Sequence, residues 1–122
     1  MAIEGRCHCG AVHYVYDHHP RWTTSCNCGM CRKLAALWIY APVGQVTVTG
    51  ETRSYLHGEK SLSWHCCAIC GCTTHWAPVD PTEEGAYMAV NLRLAEPDVV
   101  ATVPVRRFDG ADSWEFLDPE PD

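Results

Sequence analysis

Cys26, Cys28 and Cys31 fall within a single short stretch, Ser25-Cys26-Asn27-Cys28-Gly29-Met30-Cys31-Arg32-Lys33. That spacing lets three sulfurs share one ion, because a tetrahedral Zn²⁺ with Zn–S of about 2.3 Å holds its thiolates just under about 4 Å apart. A closed structural zinc takes four protein ligands, whereas three ligands and an exchangeable position are the arrangement of catalytic sites. The stretch therefore reads in two ways. It is either an open zinc site able to do chemistry, or a second structural zinc capped by a histidine such as His8, His57, His65 or His75.

A second set of sulfurs lies on either side of it. Cys7-His8-Cys9-Gly10 is a C-x-C knuckle and Cys67-Ala68-Ile69-Cys70-Gly71 a C-x-x-C knuckle, and the two can close on one ion through four thiolates. The glycine after each knuckle suits a chain that must turn tightly with φ > 0 and aim N–H groups at sulfur. Cys66 and Cys72, beside the second knuckle, read as small buried hydrophobes rather than ligands. Nine cysteines, an odd number that includes the vicinal pair Cys66-Cys67, argue for metal in a reducing compartment rather than for disulfides.

The segments that must position these sulfurs are short and β-rich. Residues 11–16 alternate with period two, residues 37–41 form an apolar run stopped by Pro42, residues 46–49 alternate again, and residues 52–56 follow Gly50-Glu51 as a further strand. Residues 57–60 read as a turn, and residues 61–65 and 72–76 enter and leave the second knuckle as a hairpin. A strand is expected over 87–92 and a further strand-like segment over 99–108, where Pro104 marks a sheet edge. Residues 32–36 offer only a turn or two of helix, and 78–85 a loop. Trp38, Trp64 and Trp76 lie in strand-like runs and read as core. His18 and His19 read as exposed turn residues, and Arg32 and Lys33 either attract an anionic thiol or offset the nearby thiolates. Short strands at close intervals predict an all-β architecture.

With 122 residues the chain is expected to be one domain, residues 1–112, followed by a mostly unstructured acidic tail over 113–122. There is no run of about 20 apolar residues and no signal-peptide pattern, so a cytoplasmic protein without a membrane partner is expected. The formal net charge of −6, with nine scattered Lys and Arg, argues against nucleic acid as a partner. Without a glycine-rich dinucleotide loop, no redox cofactor is signalled.

The ordered set Gly5-Arg6-Cys7-His8-Cys9-Gly10-Ala11-Val12, Cys26-Asn27-Cys28-Gly29-Met30-Cys31-Arg32-Lys33 and Cys67-Ala68-Ile69-Cys70-Gly71 resembles the glutathione-dependent formaldehyde-activating enzyme family, which shares its domain with centromere protein V. Val90-Asn91-Leu92 and Phe108-Asp109-Gly110-Ala111-Asp112-Ser113-Trp114 add weaker similarity. The resemblance implies small coiled β-sheets around zinc knuckles, of the Mss4-like type, and two Zn²⁺ per chain. It implies a structural site of Cys7, Cys9, Cys67 and Cys70 and a catalytic site of Cys26, Cys28 and Cys31. The activity implied is that of a carbon–sulfur lyase joining glutathione and formaldehyde as S-(hydroxymethyl)glutathione. A zinc-stabilised binding module without chemistry is the alternative, and His65 and Tyr55 are candidates for a general acid.

Overall fold

Short runs of β-branched and aromatic residues pair into two sheets, as residues that fill a pleated, half-buried surface do. The computed structural model describes residues 2–56, 58 and 61–122. The strands are β1 (Ile3–Arg6), β2 (His13–Tyr16), β3 (Thr23–Cys26), β4 (Trp38–Pro42) and β5 (Val46–Thr49), then β6 (Thr52–Leu56), β7 (Leu62–Cys67), β8 (Thr73–Pro78), β9 (Tyr87–Asn91) and β10 (Val105–Phe108). Two short helices accompany them, α1 (Gly29–Leu34) and α2 (Pro97–Val100). β1, β2 and β5 form a three-stranded sheet, and the rest form a seven-stranded sheet in the order β10-β3-β4-β9-β8-β7-β6. The all-β expectation holds.

Register decides what each face of the large sheet carries, because side chains alternate along a strand. Trp38 lies opposite Thr24 and Asn91, Tyr40 opposite Ala89, and Trp76 opposite both Ala89 and Trp64. Thr24, Trp38, Tyr40, Ala89, Trp76 and Trp64 thus share one face, and Ile39, Ala41, Met88 and Val90 share the other. The second face packs against the small sheet through Ile3, Tyr14 and Tyr16, which makes the main core. The first face packs under α1, where Cys31, Ala36, Trp38 and Ala89 form a separate cluster with Leu34, Trp64 and Trp76 at its margin. The small sheet therefore supplies the fold's interior, and the face turned away from it is left for α1 and its cysteines.

Several details depart from the sequence reading. α1 begins at Gly29, inside the cysteine stretch, because Cys28 caps it: its Sγ accepts the Cys31 N–H. Residues 97–100 are helical and only residues 105–108 form a strand; Pro97 at the first position suits a helix start. β10 lies at the edge of the sheet, as Pro104 suggested, and pairs with β3 in parallel. Of the three tryptophans only Trp38 is core, at 1% exposure, whereas Trp64 and Trp76 are half-buried. The turn expected at 57–60 lies largely outside the described residues.

The acidic tail is also more ordered than its composition implies. Arg107 pairs with the Asp118 carboxylate at 2.9 and 3.0 Å, holding it down to about 2, and the Leu117 N–H donates to the Arg107 carbonyl. Arg106, 9% exposed, lies with its guanidinium 3.7 Å from the Phe116 ring centre and 4.6 Å from that of Trp22. Cation–π contacts of a partly desolvated guanidinium outweigh the solubility of the acidic residues around them. Among the described residues no helix is long and apolar enough to cross a membrane.

His65 on β7 and His75 on β8 stack face to face with ring centres 4.3 Å apart. His65 bonds Thr52 and Ser63 through its two ring nitrogens at 2.8 Å each, and His75 bonds Thr74 at 2.8 Å. Burial, and then the neighbouring His65, hold His75 down to about 4. A histidine whose folded pKa lies below its unfolded value of about 6.5 leaves stability intact above that value and removes it as pH falls from there toward 4. The expected loss is about 3 kcal/mol over that window at about 1.4 kcal/mol per pH unit. Denaturant titrations of zinc-saturated His75→Gln should therefore show a shallower acid slope than the wild type, whatever the variant's stability at pH 7; equal slopes would refute the assignment.

Candidate metal centres and active site

The first cluster joins the two sheets. Cys7 and Cys9 sit in the turn from β1 to β2, Cys67 ends β7, and Cys70 sits in the turn from β7 to β8. Both turns are built alike: Gly10 N–H donates to the Cys7 carbonyl and Gly71 N–H to the Cys67 carbonyl, with both glycines at φ near +80°. A side chain at that φ is strained, which is why glycine follows each knuckle. The sulfurs of Cys7 and Cys9 are 3.7 Å apart and those of Cys9 and Cys67 3.6 Å. All four lie within 4.8 Å of one another, separations that fit the edges of a tetrahedron of Zn–S bonds.

Backbone N–H groups complete the cradle. Val12 donates to Cys7 Sγ at 3.2 Å, and Ile69 and Cys70 to Cys67 Sγ at 3.4 and 3.5 Å. The backbone N–H groups of Cys72 and Cys9 draw the Cys70 thiol down to about 5, which favours a thiolate at neutral pH. Cys67 is fully buried. Four convergent soft donors of this kind can hold a divalent ion such as Zn²⁺.

Cys26, Cys28 and Cys31 form the second cluster, with their sulfurs within 4.8 Å of one another. Cys26 ends β3, Cys28 caps α1 and Cys31 sits in its first turn, at 6% exposure. Cys28 N–H donates to Cys26 Sγ at 3.5 Å, and Cys31 N–H to Cys28 Sγ at 3.3 Å. Burial pushes the Cys31 thiol well above its ordinary range; the neighbouring Cys28 adds to this, and the indole N–H of Trp38 opposes it. That N–H is buried with no other acceptor among the described residues, so Trp38 Nε1 is available to the sulfur beneath which it packs. Burial also pushes the Cys26 thiol up, whereas the N–H of Cys31 helps hold the Cys28 thiol below its ordinary range, and a cluster with one thiol favoured as thiolate and N–H donors around it suits a bound divalent ion.

No histidine joins that trio among the described residues. His65 and His75 are occupied with each other and with threonine and serine hydroxyls, and His8 is exposed between the ligands of the first knuckle. His57 lies outside the described residues. Cys66 and Cys72, expected to be buried, are half-buried and belong to neither cluster. Arg32 and Lys33 are exposed in the last turn of α1, where cations complement the C-terminal end of the helix dipole.

A second loop closes over the trio. The Asn27 side chain donates to Asp109 Oδ1 at 3.1 Å and accepts the Ala111 N–H at 3.0 Å, while the Asn27 N–H donates to the Phe108 carbonyl. The Asn27 contact, followed by the Ser113 N–H, holds the Asp109 carboxyl below its ordinary range. Gly110 is forced by approach: a Cβ there would lie 2.6 Å from Cys26 Sγ. Sequence reasoning noted the run from Phe108 to Trp114 only as a similarity and gave it no role. Its one local signal is a glycine beside aspartates in a non-repeating segment.

Beside the trio, Met30 and Leu34 of α1 face Arg53, Tyr55 and Trp64 of β6 and β7 across a pocket of about 340 Å³. Tyr55 and His65 both line this pocket, and the His65 ring nitrogens are engaged by Thr52 and Ser63.

The model of the family described as glutathione-dependent formaldehyde-activating enzyme matches residues 2–103. The chain belongs to that family. A Halomonas elongata protein named "putative glutathione-dependent formaldehyde-activating enzyme" is 36% identical over 76 residues, which is 61% of this chain and 46% of that protein, so the matched region spans about half the relative's length. A crystal structure of a Rhodobacter sphaeroides protein superposes with a TM-score of 0.66 at 24% identity, covering 84% of this chain and 99% of that one. That likeness concerns the fold.

Proposed function

We propose that the chain is a cytoplasmic carbon–sulfur lyase-type enzyme that makes or breaks thiol–aldehyde adducts, with glutathione and formaldehyde as the pair the family's name suggests. Cys7, Cys9, Cys67 and Cys70 hold a structural Zn²⁺, and Cys26, Cys28 and Cys31 hold the Zn²⁺ that takes part in the reaction. The observation that carries this reading is the unequal donor count: four sulfurs converge in one cluster and three in the other, among the described residues, and the three-sulfur cluster shares Leu34 and Trp64 with the pocket.

Zn²⁺ held by three thiolates supplies Lewis acidity for an aldehyde oxygen and lowers the pKa of a thiol that reaches it. The chain's own contribution is position. Asn27 and Asp109 tie the cysteine loop to the loop after β10, so the three sulfurs keep their spacing while a substrate exchanges. Gly110 leaves room at Cys26 Sγ, and Trp38 with Trp64 covers the buried side at Cys31, which strengthens the electrostatics there. Holding thiol and aldehyde side by side replaces a bimolecular encounter by a local one.

Cobalt substitution tests the reading. Added glutathione should shift the visible Co²⁺ bands of the site that Cys26→Ala removes, and leave the bands of the other site unchanged. Bands that ignore glutathione at both sites would make the trio a closed structural centre and the chain a binding module.

A further inference from the structure

We propose that the pocket between α1 and β6–β7 receives the non-reacting part of the thiol co-substrate, and that it selects a small thiol with an apolar, preferably aromatic, body and a single carboxylate, bound by Arg53. The inference rests on the reading of Cys26, Cys28 and Cys31 as the place where a thiol reacts.

The pocket's position follows from register. Arg53 and Tyr55 are two apart on β6 and lie opposite Cys66 and Trp64 on β7, so all four belong to the face of the large sheet that carries the trio's cluster. Trp64 extends that surface inward, with its ring centre 6.1 Å from Trp38 and 6.2 Å from Trp76. The facing wall is Met30, which sits between Cys28 and Cys31 in the chain, and Leu34 one turn on. A molecule lying on Trp64 and Tyr55 therefore has one end directed along α1 toward the sulfurs and the other toward the edge strand β6.

The chemistry of the lining is unequal along that line. Near α1 it is thioether, aliphatic and aromatic, a surface that gains from apolar and π-rich groups. At the edge stands Arg53, an exposed guanidinium with no carboxylate partner among the described residues and a fork geometry suited to a carboxylate. Among the described residues no aspartate or glutamate lines the pocket. Glutathione brings two carboxylates and an ammonium group on a polar backbone, and here one carboxylate finds a cation while the ammonium finds no counter-charge. A volume of about 340 Å³ suits a ligand of one ring and a short acid chain.

The test uses 3-phenylpropionate, which has the body and the carboxylate but no sulfur, on zinc-loaded protein followed by ¹H–¹⁵N NMR. Saturable shifts are expected at the Trp64 indole and Arg53 side-chain resonances. Arg53→Gln, an exposed edge-strand substitution that leaves the fold alone, should raise the Kd ten-fold or more, and Cys26→Ala should leave it unchanged. In turnover with formaldehyde, 4-(mercaptomethyl)benzoate should exceed glutathione in kcat/KM by about ten-fold, and Arg53→Gln should lower kcat/KM for both thiols. Shifts elsewhere, or a Kd indifferent to Arg53, would overturn the assignment. Arg53-dependent binding with no turnover of either thiol would sink the reading of the trio and leave the pocket's ligand class standing. Turnover of glutathione without binding of 3-phenylpropionate would do the reverse.

Discussion

Cys67→Ala protein is expected not to reach the native fold. Cys67 is fully buried where the turn between β7 and β8 meets the turn between β1 and β2, and its sulfur approaches that of Cys9 to 3.6 Å. The apolar support at this junction is small: Cys7, Val12 and Cys67, with Val48, Cys70 and Cys72 around them. Structural zinc contributes about 10–16 kcal/mol in small domains at neutral pH, as much as the whole stability of a typical domain at about 5–15 kcal/mol. Removing one of four ligands, or stripping zinc with a chelator, should leave poorly dispersed NMR spectra and no cooperative thermal transition. Cooperative unfolding within a few degrees of the wild type would show that this cluster does not hold the two sheets together.

The second large effect separates chemistry from folding. Cys26→Ala should bind one zinc per chain where the wild type binds two, and its rate of thiol-dependent formaldehyde consumption should fall about a thousand-fold or more, with Tm lowered by only a few degrees. A loss of that size follows if most of the rate comes from holding and polarising both reactants at one ion. The modest stability cost follows from position: Cys26 is half-buried at the end of β3, and the loop around it remains tied by Asn27 to Asp109 and Ala111. Metal analysis and activity measured on the same preparation decide it. A variant that keeps two zincs, or keeps its activity with one, would remove the trio from the reaction.

Much of this arrangement was legible in the chain, for local reasons. Ligand spacing within a knuckle is a property of a few adjacent residues, so the grouping of sulfurs into four and three could be read before any fold was known, and the structure brings those same sulfurs together. The strand at residues 46–49 declares itself by period two, and Gly50 marks the turn before the next strand at 52–56. Local patterns misled where a local bond competed with propensity. The Cys28 cap starts α1 within the metal stretch, and Pro97 turns the head of the expected 99–108 strand into helix. The tail misled for the opposite reason: composition weighs its acidic residues, whereas the two rings that flank the Arg106 guanidinium, Trp22 and Phe116, come from nearly opposite ends of the chain.

The sequence by itself determined the donor sets, the β-rich architecture and the family, because sulfur spacing, turn glycines and strand periodicity are all encoded within a few residues. Tertiary structure alone decided which face of the seven-stranded sheet meets α1, that Gly110 and Asp109 come to Cys26 and Asn27, and that Arg53 shares a pocket with Met30. These contacts join elements that are distant in the chain. They are set by sheet register, and a shift of one residue in that register would carry Trp64, Tyr55 and Arg53 to the opposite face and leave the cysteines without a pocket beside them.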